Sequence, residues 1–221
     1  LLKDHQWQQA EAFTADVALT PASITERTQV GQLSNGIRYA ILPRKVKGDR
    51  VNLSLNLQWG NLQNLSGRWR EADLLDAMML SGTKQLPRQA FDDRLRALDA
   101  RLSIDANASG AKVSLSVPAR NLSDALALAV SALREPVFPK DVFQERRDQV
   151  LTGIEAQRHQ PEALAAEAMA VRGHAYPAED PRHYRTMDET VTDLKTQSPE
   201  RLTKFWQDFA GASHGQFSVV G

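Results

Sequence analysis

The chain of 221 residues carries 27 basic and 27 acidic side chains, so no net field draws it to nucleic acid or an anionic membrane, and no run of Lys and Arg makes a local patch. Cysteine is absent, which excludes disulfides, thiolate metal sites and a cysteine nucleophile while leaving the redox compartment open. A 42% apolar content suits a folded core, and no apolar stretch approaches the roughly 20 residues of a membrane span.

Leu1 begins neither a signal peptide nor an obvious translation start, so the sequence reads as a domain taken from a longer protein. Residues 1–28 are polar and broken by Thr20-Pro21-Ala22-Ser23. They read as a linker arm with a short helix over Trp7 to Phe13. A domain over 29–221 follows. Gln29 to Leu33, the turn Ser34-Asn35-Gly36 and Ile37 to Leu42 form a hairpin signal, because Asn-Gly accepts the positive φ angles of a tight turn. Val51, Leu53, Leu55 and Leu57 alternate with polar residues, the period of a strand with one buried face.

Two helices are expected next, over Arg68 to Ser81 and Pro87 to Leu98, punctuated by Gly82-Thr83. Alternation at Leu102 to Ala106 and at Val113 to Val117, joined by Ser109-Gly110, predicts a second hairpin. Helices are then expected over Leu122 to Leu133, Asp141 to Gln157, Glu162 to Arg172 and Glu200 to Phe209, with Asn121 and Ser198 as capping residues. Gln216 to Val220 closes the chain as a strand. This order predicts an α+β fold, a mostly antiparallel sheet with helices packed on one face.

The helix expected at Arg68 to Ser81 is apolar around most of its wheel, so Asp73 and Asp76 need partners. The simplest are an arginine, a backbone N–H or water. The run Ala72-Asp73-Leu74-Leu75-Asp76-Ala77-Met78-Met79-Leu80-Ser81-Gly82-Thr83, with Phe91, Leu95 to Ala100, Glu135-Pro136-Val137-Phe138, the helix around Glu145 to Ile154 and the ending Phe217 to Gly221, resembles the inverted-zincin M16 metallopeptidases. These include pitrilysin, insulin-degrading enzyme and mitochondrial processing peptidase. The resemblance covers residues 30 to 221.

Active members carry His-x-x-Glu-His on this helix, two zinc-binding histidines and a general base, with a third ligand, Glu, on a later helix. Counted back from Gly82-Thr83, those positions hold Asp73, Asp76 and Ala77, and the third-ligand position falls at Gly153. Ala77 and Gly153 offer no donor atom. A one-residue slip brings Ile154 or Glu155 into place but no histidine. His5, His159, His174, His183 and His214 form no ligand pair at i, i+4 spacing. Arg182 and Tyr184 are weak candidates for holding a peptide, with loop packing the simpler role. No Gly-x-Ser-x-Gly elbow or Gly-rich phosphate loop occurs.

The resemblance implies a non-catalytic domain of a zinc metalloendopeptidase. Such a domain holds no metal itself and helps enclose and position a peptide, while another M16-type domain of the same polypeptide carries zinc and hydrolyses it. An exposed sheet edge is the expected peptide-docking feature. The alternative is a peptide-binding or assembly module of a protein that has lost protease activity. The resemblance to bacterial multi-domain members favours the periplasm, and neither nucleic acid nor membrane is an expected partner.

Overall fold

The computed structural model describes residues 20–46, 48–174 and 176–221. Its frame is a six-stranded sheet in the order β1-β2-β6-β3-β5-β4, antiparallel throughout except where β2 runs parallel to β6. The strands are β1 (Gln29–Gln32), β2 (Arg38–Leu42), β3 (Arg50–Gln58), β4 (Arg101–Asn107), β5 (Gly110–Pro118) and β6 (Gly215–Val220). Both expected hairpins form. In β3 and β5 the alternation sends Val51, Leu57, Val113, Leu115 and Val117 into the core and leaves Asn52, Ser54, Ser114 and Ser116 on the opposite face.

The helices are α1 (Pro21–Arg27), α2 (Leu75–Met78), α3 (Arg88–Ala97), α4 (Leu122–Arg134), α5 (Lys140–Gln157), α6 (Pro161–Gly173), α7 (Met187–Thr196) and α8 (Pro199–Phe209). Phe91 and Leu95 of α3, Ala125 and Leu128 of α4, and Leu202, Phe205 and Trp206 of α8 join the apolar sheet face in one core. Edge-to-face packing of Trp59 on Trp206, with ring centroids 5.4 Å apart, carries that core from the end of β3 to α8.

Within the stretch read as a linker, residues 21–27 are helical: Thr20 caps the Ser23 N–H and Pro21 fits the first turn, where no intrahelical N–H is required. Three sequence expectations need correction. Sequence reading passed over α7 although Thr186 and Glu189 form its capping box. Ser198 caps α8, but Asn121 does not cap α4; its amide donates instead to the Leu98 carbonyl at 2.9 Å. The helix expected over Arg68 to Ser81 is broken in two. The expected helix over Trp7 to Phe13 lies outside the described residues.

Two fragments that carried the family resemblance meet in space. Thr83 bridges to Pro136, Lys84 N–H donates to Glu135 O at 3.1 Å, and Val137 N–H donates to Gly82 O at 3.2 Å. Gly82 is required at this junction: its φ is +114°, and a Cβ there would lie 2.9 Å from the Arg88 nitrogen. Ser81-Gly82-Thr83 and Glu135 to Phe138 are thus a structural staple beside the motif.

Candidate functional site: a dismantled metal motif

The motif segment begins as a 3-10 turn over Trp69–Ala72 and stops at Asp73, whose ψ of 139° is not helical. Leu74 then takes a left-handed conformation, φ 67° and ψ 0°, before the short α2 starts at Leu75. A side chain at such a φ costs about 1–2 kcal/mol, so surrounding contacts must hold it. Asp73 and Ala77 therefore do not occupy successive turns of one helix. The i, i+4 geometry of two metal ligands is lost in the backbone as well as in the residue types.

Asp73 is bound on both oxygens by Arg185, at 2.6 Å from Nη1 and 2.9 Å from Nη2, and Nη1 also reaches Asp193 Oδ2 of α7 at 3.2 Å. The same Asp193 oxygen lies 3.3 Å from Arg70 Nε. Both Asp73 and Arg185 are largely buried, and the Arg185 guanidinium lies 4.9 Å above the Trp69 ring. Burial pushes the Asp73 carboxyl above its ordinary value, against the pull of Arg185. Burial also opposes the charge of Arg185, yet its hydrogen bonds to Asp73 and Asp193 hold it above its ordinary value.

The contacts around this cluster form a seam. Arg70 Nη2 donates to Ala178 O at 2.7 Å, Gly67 N–H to Glu179 O at 2.9 Å, and Gln197 Nε2 to Arg70 O at 2.9 Å. Segment 178–197 is thereby tied along residues 67–73. Sequence reasoning missed Arg185 and Asp193 because they lie more than a hundred residues from Asp73. Only the Thr186 to Glu189 capping box marked the helix that brings them in.

Asp76 faces elsewhere. Its Oδ1 accepts the backbone N–H of Ala106, on the edge strand β4, at 3.0 Å. Asp76 and Ala77 are exposed and line a cleft of about 300 Å³ with Arg88, Ser103, Ile104, Asp105 and Arg146. Gly153, on α5, is exposed, and a Cβ added there meets nothing within 4 Å. The α5 residue that lines the motif cleft is Arg146, a cation.

These residues do not fit zinc. Asp73 is taken by a guanidinium, Asp76 by a backbone amide, and Ala77 and Gly153 have no donor. No cluster of three or more His, Cys, Asp or Glu side chains suited to a metal occurs among the described residues.

The weak peptide-holding candidates serve their own loop in this structure. Arg182 binds both oxygens of Asp180, at 3.0 and 2.7 Å, and its guanidinium lies 4.2 Å over the Tyr176 ring. With the Arg182 N–H, these bonds pull the Asp180 carboxyl down to about 2. The half-buried Tyr184 packs beside His174, ring centroids 6.1 Å apart. His183 links the Tyr176 carbonyl, 2.8 Å from Nδ1, to Glu189, 3.2 Å from Nε2. His159 pairs with Glu155 one turn earlier on α5, His174 Nδ1 meets Ala170 O, and His214 meets Ser213. No two of these histidines share a contact. His5 lies outside the described residues.

Residues 40–182 match the family model described as insulinase, peptidase family M16. Over 83 residues the chain is 35% identical to the probable zinc protease PqqL of Escherichia coli K12, a stretch that makes up 38% of this chain and 9% of that protein. The fold is similar to that of a peptidase M16 inactive domain from Pseudomonas fluorescens, with a TM-score of 0.70 at 20% identity over 88% of this chain and 46% of that one. It is also similar to the periplasmic protease PqqL of Escherichia coli, with a TM-score of 0.64 at 25% identity over 89% of this chain and 22% of that one. The chain thus spans less than half the length of these relatives. With the family model matching well over half of its residues, the chain belongs to the insulinase family, peptidase family M16.

Proposed function

We propose that this is a non-catalytic M16 domain that helps enclose and position a peptide, while a zinc-bearing domain of the same polypeptide hydrolyses it. The observation that carries the reading is the pairing of a motif that fits no metal with a cleft of about 300 Å³ between it and the edge strand β4. Ala106 sends its N–H away from β5 toward Asp76, so antiparallel alternation puts the backbone groups of Leu102 and Ile104 on that same outer side. An extended peptide can add there as one more strand, its backbone supplying affinity and the cleft walls selectivity.

The similarity to PqqL, a probable zinc protease and a periplasmic one, supports a zinc peptidase as the whole protein and the periplasm as its location. No helix among the described residues is long and apolar enough to cross a membrane.

The test is made in the intact polypeptide. Deleting this domain should leave the zinc content unchanged and lower peptide turnover at least tenfold, because holding a scissile bond beside a metal-bound water accounts for several kcal/mol of barrier lowering. Full turnover by a folded deletion overturns the reading. An intact polypeptide without zinc or peptide cleavage points instead to the assembly or peptide-binding module.

A further inference from the structure

Away from the motif, a mostly apolar cavity of about 520 Å³ opens where the end of β3 meets the last turns of α4 and α8. It is lined by Leu55, Leu57 and Trp59, by Val130 and Leu133 of α4 and by Trp206 of α8, and it shares no residue with the motif cleft. Its size and character are those of a small-molecule site, in which a few polar groups orient an apolar ligand. The polar groups here include two unused donors. Trp59 is 7% exposed and its buried indole N–H has no acceptor among the described residues, whereas the indole N–H of its neighbour Trp206 donates to Leu133 O at 3.1 Å. Arg134, in the last turn of α4, makes no ion pair among the described residues, although Arg50, Arg68, Arg70 and Arg185 each have an acidic partner.

Among the described residues no acidic side chain lines the cavity, so Arg134 leaves it cationic. A buried N–H without an acceptor is unfavourable, and a ligand that brings one recovers the loss. Both donors therefore ask for the same ligand: an apolar body against the two tryptophans, and an anionic acceptor. We propose that this cavity binds an apolar monocarboxylate, whose carboxylate supplies the acceptor that Arg134 and the Trp59 N–H lack. A free medium-chain acid and an apolar C-terminal residue of a peptide both offer that chemistry. The site is separate from the motif cleft, and its failure would leave the enclosing role untouched.

The test uses the 221-residue chain, isotope-labelled for NMR, whose four tryptophans give four indole N–H signals assigned by single Trp→Phe substitutions. The probes are octanoate and octanamide, alike in chain length and different in charge, and acetyl-Gly-Gly-Leu with a free or an amidated C-terminus. Circular dichroism checks that each variant is folded.

Octanoate should move the Trp59 and Trp206 signals saturably and leave in place that of Trp69, which lies under Arg185. Octanamide should bind about 10-fold more weakly, the effect of one charge-assisted hydrogen bond, and Arg134→Ala should weaken octanoate by about the same factor while leaving octanamide unchanged. If Arg134→Ala does not fold, Arg134→Gln takes its place. Val130→Trp, at an exposed position on the cavity, should block both probes. Tighter binding of the free-ended leucine peptide than of octanoate supports the site and assigns it to peptide C-termini; the reverse order supports it as a site for free acids. Equal affinity for octanoate and octanamide, or octanoate binding untouched by Arg134→Ala, overturns the carboxylate assignment. No saturable shift at millimolar octanoate, equal movement of all four signals, or binding unchanged by Val130→Trp overturns the cavity as a site.

Discussion

Asp73 and Asp76, one helical turn apart in sequence, serve opposite neighbours: the first gives both oxygens to Arg185 and the second gives one to the Ala106 N–H on β4. Leu74 between them makes the division possible, since its left-handed φ of 67° swings the chain out of helix for one residue. The misfit between this motif and zinc is therefore a matter of conformation as well as composition.

Restoring the ligand residue types should not create a zinc site. Asp73→His, Asp76→Glu, Ala77→His and Gly153→Glu together supply the donor types, yet position 153 is open to solvent and the α5 residue that lines the motif cleft is Arg146, so the third ligand does not face the other two. Metal analysis after dialysis should find well under one zinc per folded chain. A stoichiometric ion would show that the segment refolds into a continuous helix around it.

The Arg185 anchor should matter more from one side than from the other. Arg185→Ala strands the Asp73 carboxylate in a largely buried place, leaves Asp193 only Arg70, and is expected to cost about 3–4 kcal/mol. Asp73→Ala leaves Arg185 still paired with Asp193 and should cost about 1–2 kcal/mol. Urea unfolding of both single variants and the double variant gives the coupling. An additive pair of losses would remove the anchor from this account.

Two glycines should respond with opposite sign to the same substitution. Gly82→Ala forces a Cβ to 2.9 Å from the Arg88 nitrogen at a φ of +114° and should destabilise by about 2–3 kcal/mol. Gly153→Ala places a methyl group in open space on α5 and should stabilise by roughly 0.5–1 kcal/mol. Thermal melts distinguish the two readily. A neutral Gly82→Ala would show that the staple between Thr83 and Pro136 is not rigid.

Acid should loosen the loop that carries Arg182. The Asp180 carboxyl sits at about 2 in the folded chain, well below its ordinary 3.8, because Arg182 hydrogen-bonds its charged form. A folded-state value below the unfolded one means that the unfolded chain takes up the proton first. The stabilising contribution is thus present above about pH 4 and is lost as pH falls toward 2. A carboxyl titration followed by NMR should place Asp180 near 2, and Arg182→Ala should return it to the ordinary range. A titration of Asp180 unmoved by Arg182→Ala contradicts this pairing.

Periodicity alone specified most of the frame. The alternation in β3, β4 and β5, the Asn35-Gly36 turn and the Pro or Ser starts of α6 and α8 are local signals, written into residues that are neighbours in the chain. The absent donors at Ala77 and Gly153 were equally legible, because a missing atom needs no structure to be noticed. What the sequence could not show was the break at Leu74. By apolar pattern, Arg68 to Ser81 is one helix. Tertiary structure decided otherwise because Arg185, more than a hundred residues away, binds Asp73 on one side while β4 offers an N–H to Asp76 on the other. Two ion or hydrogen-bond partners from distant parts of the chain hold the unfavourable φ of the residue between them, and no spacing rule within the segment contains that information.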